Sequence, residues 1–220
     1  MTLVVERAVT FSVEPALKQG LADLGLTLSG SQQTALLQYL QLLQKWNRVY
    51  NLTAIREPER MLSHHVLDSL AVLPHVKSVS GSRLLDAGSG AGLPGIPLAI
   101  ARPELPVTLL DSNQKKAAFM QQAVSELGLK NAQVVCARLE SWEAPQAFEV
   151  IVSRAFADLS EFVLQSRHLL ASGGVFLAMK GQRPDDEISR LPSDFRATAV
   201  HRLAVPGVDA ERHVIEVVRA

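Results

Sequence analysis

Short apolar runs alternate with helical segments from Gly81 to the C-terminus, and this alternation restricts the fold more than any other feature. Segments 114–127 and 158–170 have helical periodicity and separate apolar runs that predict strands. Because parallel strands need a crossover segment between them, the pattern predicts a Rossmann-like α/β sheet. The last two runs have no helix between them, which predicts an antiparallel pair at the end. The seven predicted strands begin at Arg83, Pro106, Ala132, Phe148, Gly173, Thr198 and Arg212.

The first 80 residues show helical rather than strand periodicity. Ser29 and Gln32 form a capping-box pattern before an apolar stripe, and Pro58 suits the first turn of a further helix that Pro74 stops. We therefore expect two parts, a helical N-terminal extension over 1–80 and a compact core over 81–220.

Composition excludes several classes of protein. Twenty-two Lys and Arg balance twenty-two Asp and Glu, so the formal net charge is zero and binding to a nucleic acid would need a local patch. No apolar run is long enough for a membrane span, and the N-terminus lacks the pattern of a signal peptide. The single cysteine, Cys136, cannot form an internal disulfide. We expect a cytoplasmic protein.

A glycine-rich turn is the strongest chemical signal. Gly88, Gly90 and Gly92 follow a predicted strand that carries Asp86, and the next strand ends in Asp111. The residues Gly90, Gly92 and Gly95 also match a dinucleotide fingerprint, but a carboxylate at the strand end would repel a pyrophosphate and attract an ammonium. The pattern favours S-adenosylmethionine (SAM), with Asp111 placed to meet its ribose. The alternative is a tight turn in which Asp86 is only a cap.

Other cofactors and acceptors are disfavoured by what the chain lacks. It has no P-loop, no HExxH motif and no Cys/His cluster, so we expect no metal. Cys136 lies in an apolar strand, which predicts a buried structural thiol rather than a nucleophile. The segment after the fourth strand lacks the Pro-Pro loop typical of adenine methylation. A ring nitrogen such as guanine N7 would need neither a base nor a covalent intermediate.

Several blocks of the chain resemble the RsmG (GidB) family of bacterial 16S rRNA guanine-N7 methyltransferases. The blocks are "KWNRVYNLTAIRE", "HHVLDSL", "DAGSGAGLPGIPLAI", "VSRAFADL", "MKGQRPDDEI" and "ERHVIEV", in order from about residue 45 to the end. The resemblance implies a class I methyltransferase fold, SAM as cofactor and 16S rRNA in the small ribosomal subunit as partner. The role of residues 1–30 stays open.

The same resemblance implies site residues. It places Arg154 where cofactor and substrate meet. The implied cofactor residues are Gly88, Gly90, Gly92, Leu93, Leu139, Glu140 and Arg154, in addition to Asp86 and Asp111, which the pattern of the glycine turn already predicts. The implied RNA-binding residues are Asn51, His65, Arg138, Lys180 and Arg212. No acid or base catalyst is expected.

Simpler interpretations of these residues remain. Arg154 and Lys180 could form structural salt bridges, Arg212 could pair with a neighbouring glutamate, and His65 could make a helix-surface hydrogen bond. Lys116, like Lys115 before it, most resembles a solvated helix face. The alternatives for the whole chain are a methyltransferase for a small metabolite or protein side chain, and a non-catalytic SAM- or RNA-binding module.

Overall fold

The structure is a computed structural model that describes residues 2–76, 82–154 and 156–220, with side chains from residue 13 onward. Its centre is a seven-stranded sheet, and none of the described helices is long and apolar enough to cross a membrane. The strands are β1 Leu84–Ala87, β2 Val107–Asp111, β3 Ala132–Cys136, β4 Phe148–Ser153, β5 Leu170–Lys180, β6 Phe195–Arg202 and β7 His213–Arg219. The helices are α1 Thr2–Asp23, α2 Gly30–Tyr50, α3 Pro58–Met61, α4 Asp68–Leu70, α5 Gly95–Ala101, α6 Gln114–Glu126, α7 Leu159–Ser166 and α8 Asp185–Ser189.

The strand order is β3-β2-β1-β4-β5-β7-β6. Strands β1 to β5 run parallel, whereas β7 is antiparallel to both β5 and β6. The predicted fold class and its antiparallel last pair are therefore confirmed. The carboxyl ends of β1, β2, β4 and β5 meet at one edge of the sheet, which is where α/β proteins bind ligands.

Helical structure follows the sequence signals in the N-terminal region. Ser29 and Gln32 form the predicted capping box of α2, and Pro58 opens α3. Between α3 and α4 the segment Leu62–Leu67 is a π-helix, which no sequence signal indicated. The predicted boundary between extension and core, at residues 80–81, falls within 77–81 and so lies outside the described residues.

The extension and the sheet share one apolar core. Tyr39 and Leu43 of α2 are fully buried in the same cluster as Leu84 of β1 and Leu109 of β2. The Gln32 side chain of the capping box also donates to the last carbonyls of α5, at 2.9 and 3.0 Å. These contacts hold α2 against the face of the sheet next to the glycine turn.

Three local boundaries were wrong. The helix predicted over 158–170 ends at Ser166, β5 begins at Leu170 rather than Gly173, and β6 begins at Phe195 rather than Thr198. Gly173, with φ +75°, lies within β5 beside a register shift against β4, so it bends the strand instead of ending a helix.

The predicted burial of Cys136 was also wrong, because its thiol is exposed. Strand β3 lies at the edge of the sheet, and all five of its residues are half-buried or exposed. The apolar run was correctly assigned to a strand, but the position of that strand in the sheet determines how much of it is covered.

Candidate functional site

The glycine turn leaves β1 and enters α5. A Cβ at Gly90, whose φ is +60°, would meet nothing nearer than the Gly88 carbonyl oxygen at 4.0 Å. A Cβ at Gly92 would instead collide with Ile96, and one at Gly95 would collide with Leu109. Gly90 therefore borders open space that a ligand could fill, whereas Gly92 and Gly95 are needed for packing.

Asp86 lies fully buried beneath this turn. The Gly95 N–H donates to its Oδ2 at 2.8 Å, whereas Oδ1 has no hydrogen-bond partner among the described residues. Burial raises the pKa of Asp86 to about 7, and the Gly95 hydrogen bond opposes that rise. An unpartnered buried carboxylate oxygen is costly unless a donor completes it, so the residue fits a ligand that brings an ammonium group.

Asp111 at the end of β2 holds the turn in place. Its two oxygens accept the N–H groups of Gly90 and Asn113, at 2.9 and 2.8 Å. The Lys116 ammonium lies 3.8 Å from the same carboxylate, so the interpretation of Lys116 as part of a purely solvated face was wrong, while Lys115 is exposed. Each Asp111 oxygen retains a second lone-pair position for a ligand hydroxyl.

The other predicted cofactor residues differ in exposure. Leu93 is buried in the core that the extension and the sheet share, whereas Leu139 is buried in a second apolar cluster together with Leu85 of β1. Leu139 also opens a short 3-10 turn after β3. Glu140 is exposed and pairs with Arg138 at 3.7 Å. Of these three side chains, Glu140 alone is therefore largely in contact with solvent.

A pocket of about 360 Å³ lies beside the ends of β4 and β5, where β7 begins. It gathers four of the predicted residues from both parts of the chain. Its charged and ionisable lining residues are His64, His65, Asp68, Arg154, Lys180, Arg212 and His213. Asn51 and Arg138 are not among them.

Asp68 is the centre of this pocket. Arg154 donates to its Oδ2 at 3.0 Å, and Arg212 donates to its Oδ1 at 2.9 Å. Its side chain is 3% exposed, against 26% for Arg154 and 23% for Arg212. The predicted alternative partners of Arg212 were therefore wrong, although its Nη1 does donate to the Glu211 carbonyl at 2.8 Å.

The π-helix supplies the geometry of this network. The Asp68 N–H donates to the Ser63 carbonyl five residues earlier, and the His64 carbonyl accepts a bond from Arg154 at 3.0 Å. Such distortions occur often at functional sites. Asp68 is not among the residues predicted from the sequence, because no local pattern reveals that two distant arginines converge on it.

His65 is buried, so the predicted alternative of a helix-surface hydrogen bond was wrong. Its Nε2 lies 2.8 Å from Thr53 Oγ1, and its Nδ1 lies 3.0 Å from the His64 carbonyl oxygen. Burial, followed by the charge of Arg154, lowers the pKa of His65 to about 4. The imidazole is therefore neutral at pH 7 and both nitrogens have partners.

Lys180 forms the salt bridge that was considered as an alternative. Its ammonium donates to Glu187 at 2.7 Å and to the carbonyls of Phe156 and Ala157 at 3.1 and 2.8 Å. Three acceptors use its three protons. In this arrangement the lysine ties the segment after β4 to α8.

The two remaining predicted residues are exposed. Asn51 caps α2 in the left-handed conformation, with φ +49°, and its side chain accepts from Arg56 at 3.0 Å. Arg138 is 76% exposed beyond the end of β3.

The strand order and the glycine turn define the class I fold of SAM-dependent methyltransferases. Two solved structures share it: the glycopeptide N-methyltransferase MtfA bound to SAM (TM-score 0.59, 15% identity, 70% of this chain and 87% of that one) and TrmN from Thermus thermophilus (0.55, 21%, 69% and 48%). The chain belongs to the GidB family, described as rRNA small subunit methyltransferase G, whose model matches residues 32–215.

Close relatives agree with this assignment. Ribosomal RNA small subunit methyltransferase G of Laribacter hongkongensis is 57% identical over 93% of this chain and 98% of its own length. The protein of the same name from Chromobacterium violaceum is 55% identical over 92% and 96%. The family expected from the sequence is thus confirmed.

Proposed function

We propose that this protein transfers a methyl group from SAM to N7 of a specific guanine in 16S rRNA of the small ribosomal subunit. The observation that most supports this function is that the glycine turn and the pocket around Asp68 adjoin each other. Ser153 at the end of β4 donates to the Ala87 carbonyl of β1 at 2.6 Å, and Arg154 follows directly. The pocket in which Arg154 and Arg212 meet Asp68, called the arginine pocket below, therefore borders the strand that leads into the glycine turn.

The cofactor half consists of the turn and its two acids. SAM supplies an already activated methyl group when it is bound. Asp86 would accept the ammonium, Asp111 the ribose, and the backbone at Gly88, Gly90 and Gly92 would lie against the cofactor. Leu93, Leu139 and Glu140 would complete its surroundings, as the family resemblance implies.

The base half needs positioning rather than proton transfer. Guanine N7 has a free lone pair, so the nitrogen bonds to the methyl carbon as the carbon–sulfur bond breaks, and no proton moves. N7 thereby gains positive charge. The Asp68 carboxylate between Arg154 and Arg212 offsets the positive charge that the methylated base would meet. Neutral His65 would act as a positioning residue.

RNA contacts would come from both parts of the chain. We assign Arg212 and His65 to the pocket and Asn51 and Arg138 to its surroundings, whereas Lys180 would act by ordering the segment after β4. With a net charge of zero, binding to naked RNA should be weak. The folded small subunit is therefore the proposed substrate, and the cytoplasm, where it assembles, the proposed location.

Mass spectrometry of rRNA fragments tests this function. Small-subunit rRNA from cells with and without the protein should differ by one N7-methylguanosine, and the wild-type chain should restore it. Unchanged rRNA, together with loss of a methylated metabolite or protein, would instead support the alternative substrates.

A further inference from the structure

Two histidines and a glutamate converge away from the arginine pocket. His75 ends the short 3-10 turn Leu73–His75 after α4, His201 lies on β6 and Glu216 lies on β7. The register pairs Glu216 with Ala199 and His201 with Val214. His201 and Glu216 are therefore diagonal neighbours across β6 and β7. The three residues are too far apart in sequence to form a recognisable motif.

Their ligating atoms lie close together. Glu216 Oε1 is 3.0 Å from His201 Nε2 and 4.0 Å from His75 Nδ1. One ligand atom from each residue lies within 4.8 Å of the other two, and the imidazole rings stack with centroids 4.3 Å apart. The carboxylate is buried at 9% exposure, whereas the His201 side chain is 37% exposed.

We propose that His75, His201 and Glu216 bind one divalent cation of the Zn²⁺ class. Neutral imidazole nitrogens with one carboxylate form a common ligand set for such ions. Ligand atoms about 2.0 to 2.1 Å from a tetrahedral Zn²⁺ lie about 3.4 Å apart, so the cluster needs only a modest rotation of His75. The partly exposed side of His201 leaves a route for the ion and a position for water.

The site would join the extension to the sheet. His75 belongs to the end of the N-terminal region, whereas His201 and Glu216 belong to the antiparallel pair of the core. Glu216 lies on β7, four residues after Arg212, which immediately precedes that strand. A bound ion would therefore fix the extension against the strand that carries part of the arginine pocket, and its binding energy would add to the stability of the fold. The sequence alone, which has no Cys/His cluster, predicted no metal.

Titration of the untagged, chelator-treated full-length protein with Zn²⁺ tests the proposal. Calorimetry should detect one equivalent, and Zn²⁺ should raise the unfolding temperature. His75→Phe retains a ring to stack on His201 but removes a ligand, so it should weaken binding at least tenfold and abolish the thermal shift. His168→Phe is the matched control, because His168 is exposed and its ring bonds to the Trp142 carbonyl, away from the cluster; it should behave as the wild type.

Glu216→Gln provides a second test that is independent of the stacked rings. It should also weaken Zn²⁺ binding at least tenfold, with circular dichroism confirming that the variant is folded. Absence of Zn²⁺ binding by the wild-type protein, or equal binding by wild type, His75→Phe and Glu216→Gln, would overturn the proposal and leave a hydrogen-bonded histidine stack.

Discussion

The glycine turn and the arginine pocket occupy the same edge of the sheet but are built in different ways. The turn uses backbone groups within ten residues, from Asp86 to Gly95, with Asp111 as a support. The pocket uses side chains from distant segments, with Arg154 and Arg212 meeting at Asp68. A site made by one turn can be recognised locally, whereas a site made by tertiary contacts requires the fold.

Their buried carboxylates differ in the same way. Asp86 keeps one oxygen without a partner among the described residues, whereas both oxygens of Asp68 accept from guanidinium groups. The first carboxylate is suited to receive a ligand's charge, and the second is suited to hold two arginines in fixed positions.

Gly90→Val should cause the largest effect, because its side chain would occupy the open space of the turn. We expect SAM binding to fall below detection while the protein stays folded. Calorimetric titration with SAM measures the affinity, and circular dichroism checks the fold.

Gly128→Val is the matched control for this substitution. Gly128 also has a positive φ, +61°, and open space around its Cβ, but it follows the C-terminal end of α6 and is not part of the glycine turn. Both variants should lose about 1 to 3 kcal/mol of stability from the strained backbone. Equal SAM affinity of both variants would show that the turn is not the cofactor cradle.

The pH dependence of stability should separate the two regions. The pKa of Asp86 is raised from 3.8 to about 7, so the folded state binds more protons there and this residue lowers stability as pH rises through that range. The pKa of His65 is lowered from 6.5 to about 4, so the unfolded state binds more protons and this residue raises stability over about pH 4 to 6.5. The two contributions oppose each other in the wild-type protein.

Single substitutions should reveal each contribution, because a tenfold difference in proton affinity between the folded and unfolded states corresponds to about 1.4 kcal/mol. Relative to wild type, the free energy of unfolding of Asp86→Asn should increase with pH from about 4 to 7, and that of His65→Gln should decrease from about pH 4 to 6.5. Urea denaturation across this range measures both differences. If the free energies of unfolding of the wild type and both variants change with pH in parallel, neither residue has the shifted pKa assigned to it.

Asp68→Asn should have an intermediate effect because it weakens the acceptor shared by Arg154 and Arg212. We expect a loss of about 1 to 3 kcal/mol of stability, slower methyl transfer at saturating substrate and unchanged SAM affinity. Glu149→Gln is the comparison, since Glu149 also pairs with an arginine at 3.0 Å but is 32% exposed. Glu149→Gln should lower the free energy of unfolding by less than about 1 kcal/mol. A larger loss in Glu149→Gln would contradict the central role of Asp68.

Arg138→Ala should have the smallest effect. The side chain is 76% exposed, so stability should change by less than about 0.5 kcal/mol. Loss of one phosphate contact should reduce the log–log salt slope of small-subunit binding by about one. Arg196→Ala on the opposite edge strand, β6, is the control and should leave the slope unchanged. An identical slope for both variants would show that Arg138 does not contact the RNA.

The sequence predicted the sheet well because alternation and turn residues are local signals. It identified all seven strands, the capping box at Ser29 and the acids that flank the glycine turn. It was wrong about Cys136, because the burial of a strand depends on its position in the sheet, and that position is set by topology.

The pocket could be predicted only in part. Arg154 and Arg212 were selected through the family resemblance, but Asp68 became recognisable only when the π-helix and β7 brought all three together. Likewise, the three acceptors around Lys180 come from segments that no local pattern connects.

Single-turnover methylation of unmodified small subunits, with the product mapped to its atom, tests the central claim most directly. With SAM and small subunits both saturating, we expect one N7-methylguanosine per subunit, at a rate that changes little between about pH 6.5 and 8.5, the range at and above the reference pKa of histidine. Arg154→Ala should slow this step at saturating substrate, whereas His65→Ala should mainly weaken substrate binding. A methyl group on an oxygen or an exocyclic amine, or a steep rise through pH 6.5 that disappears in His65→Ala, would contradict the account.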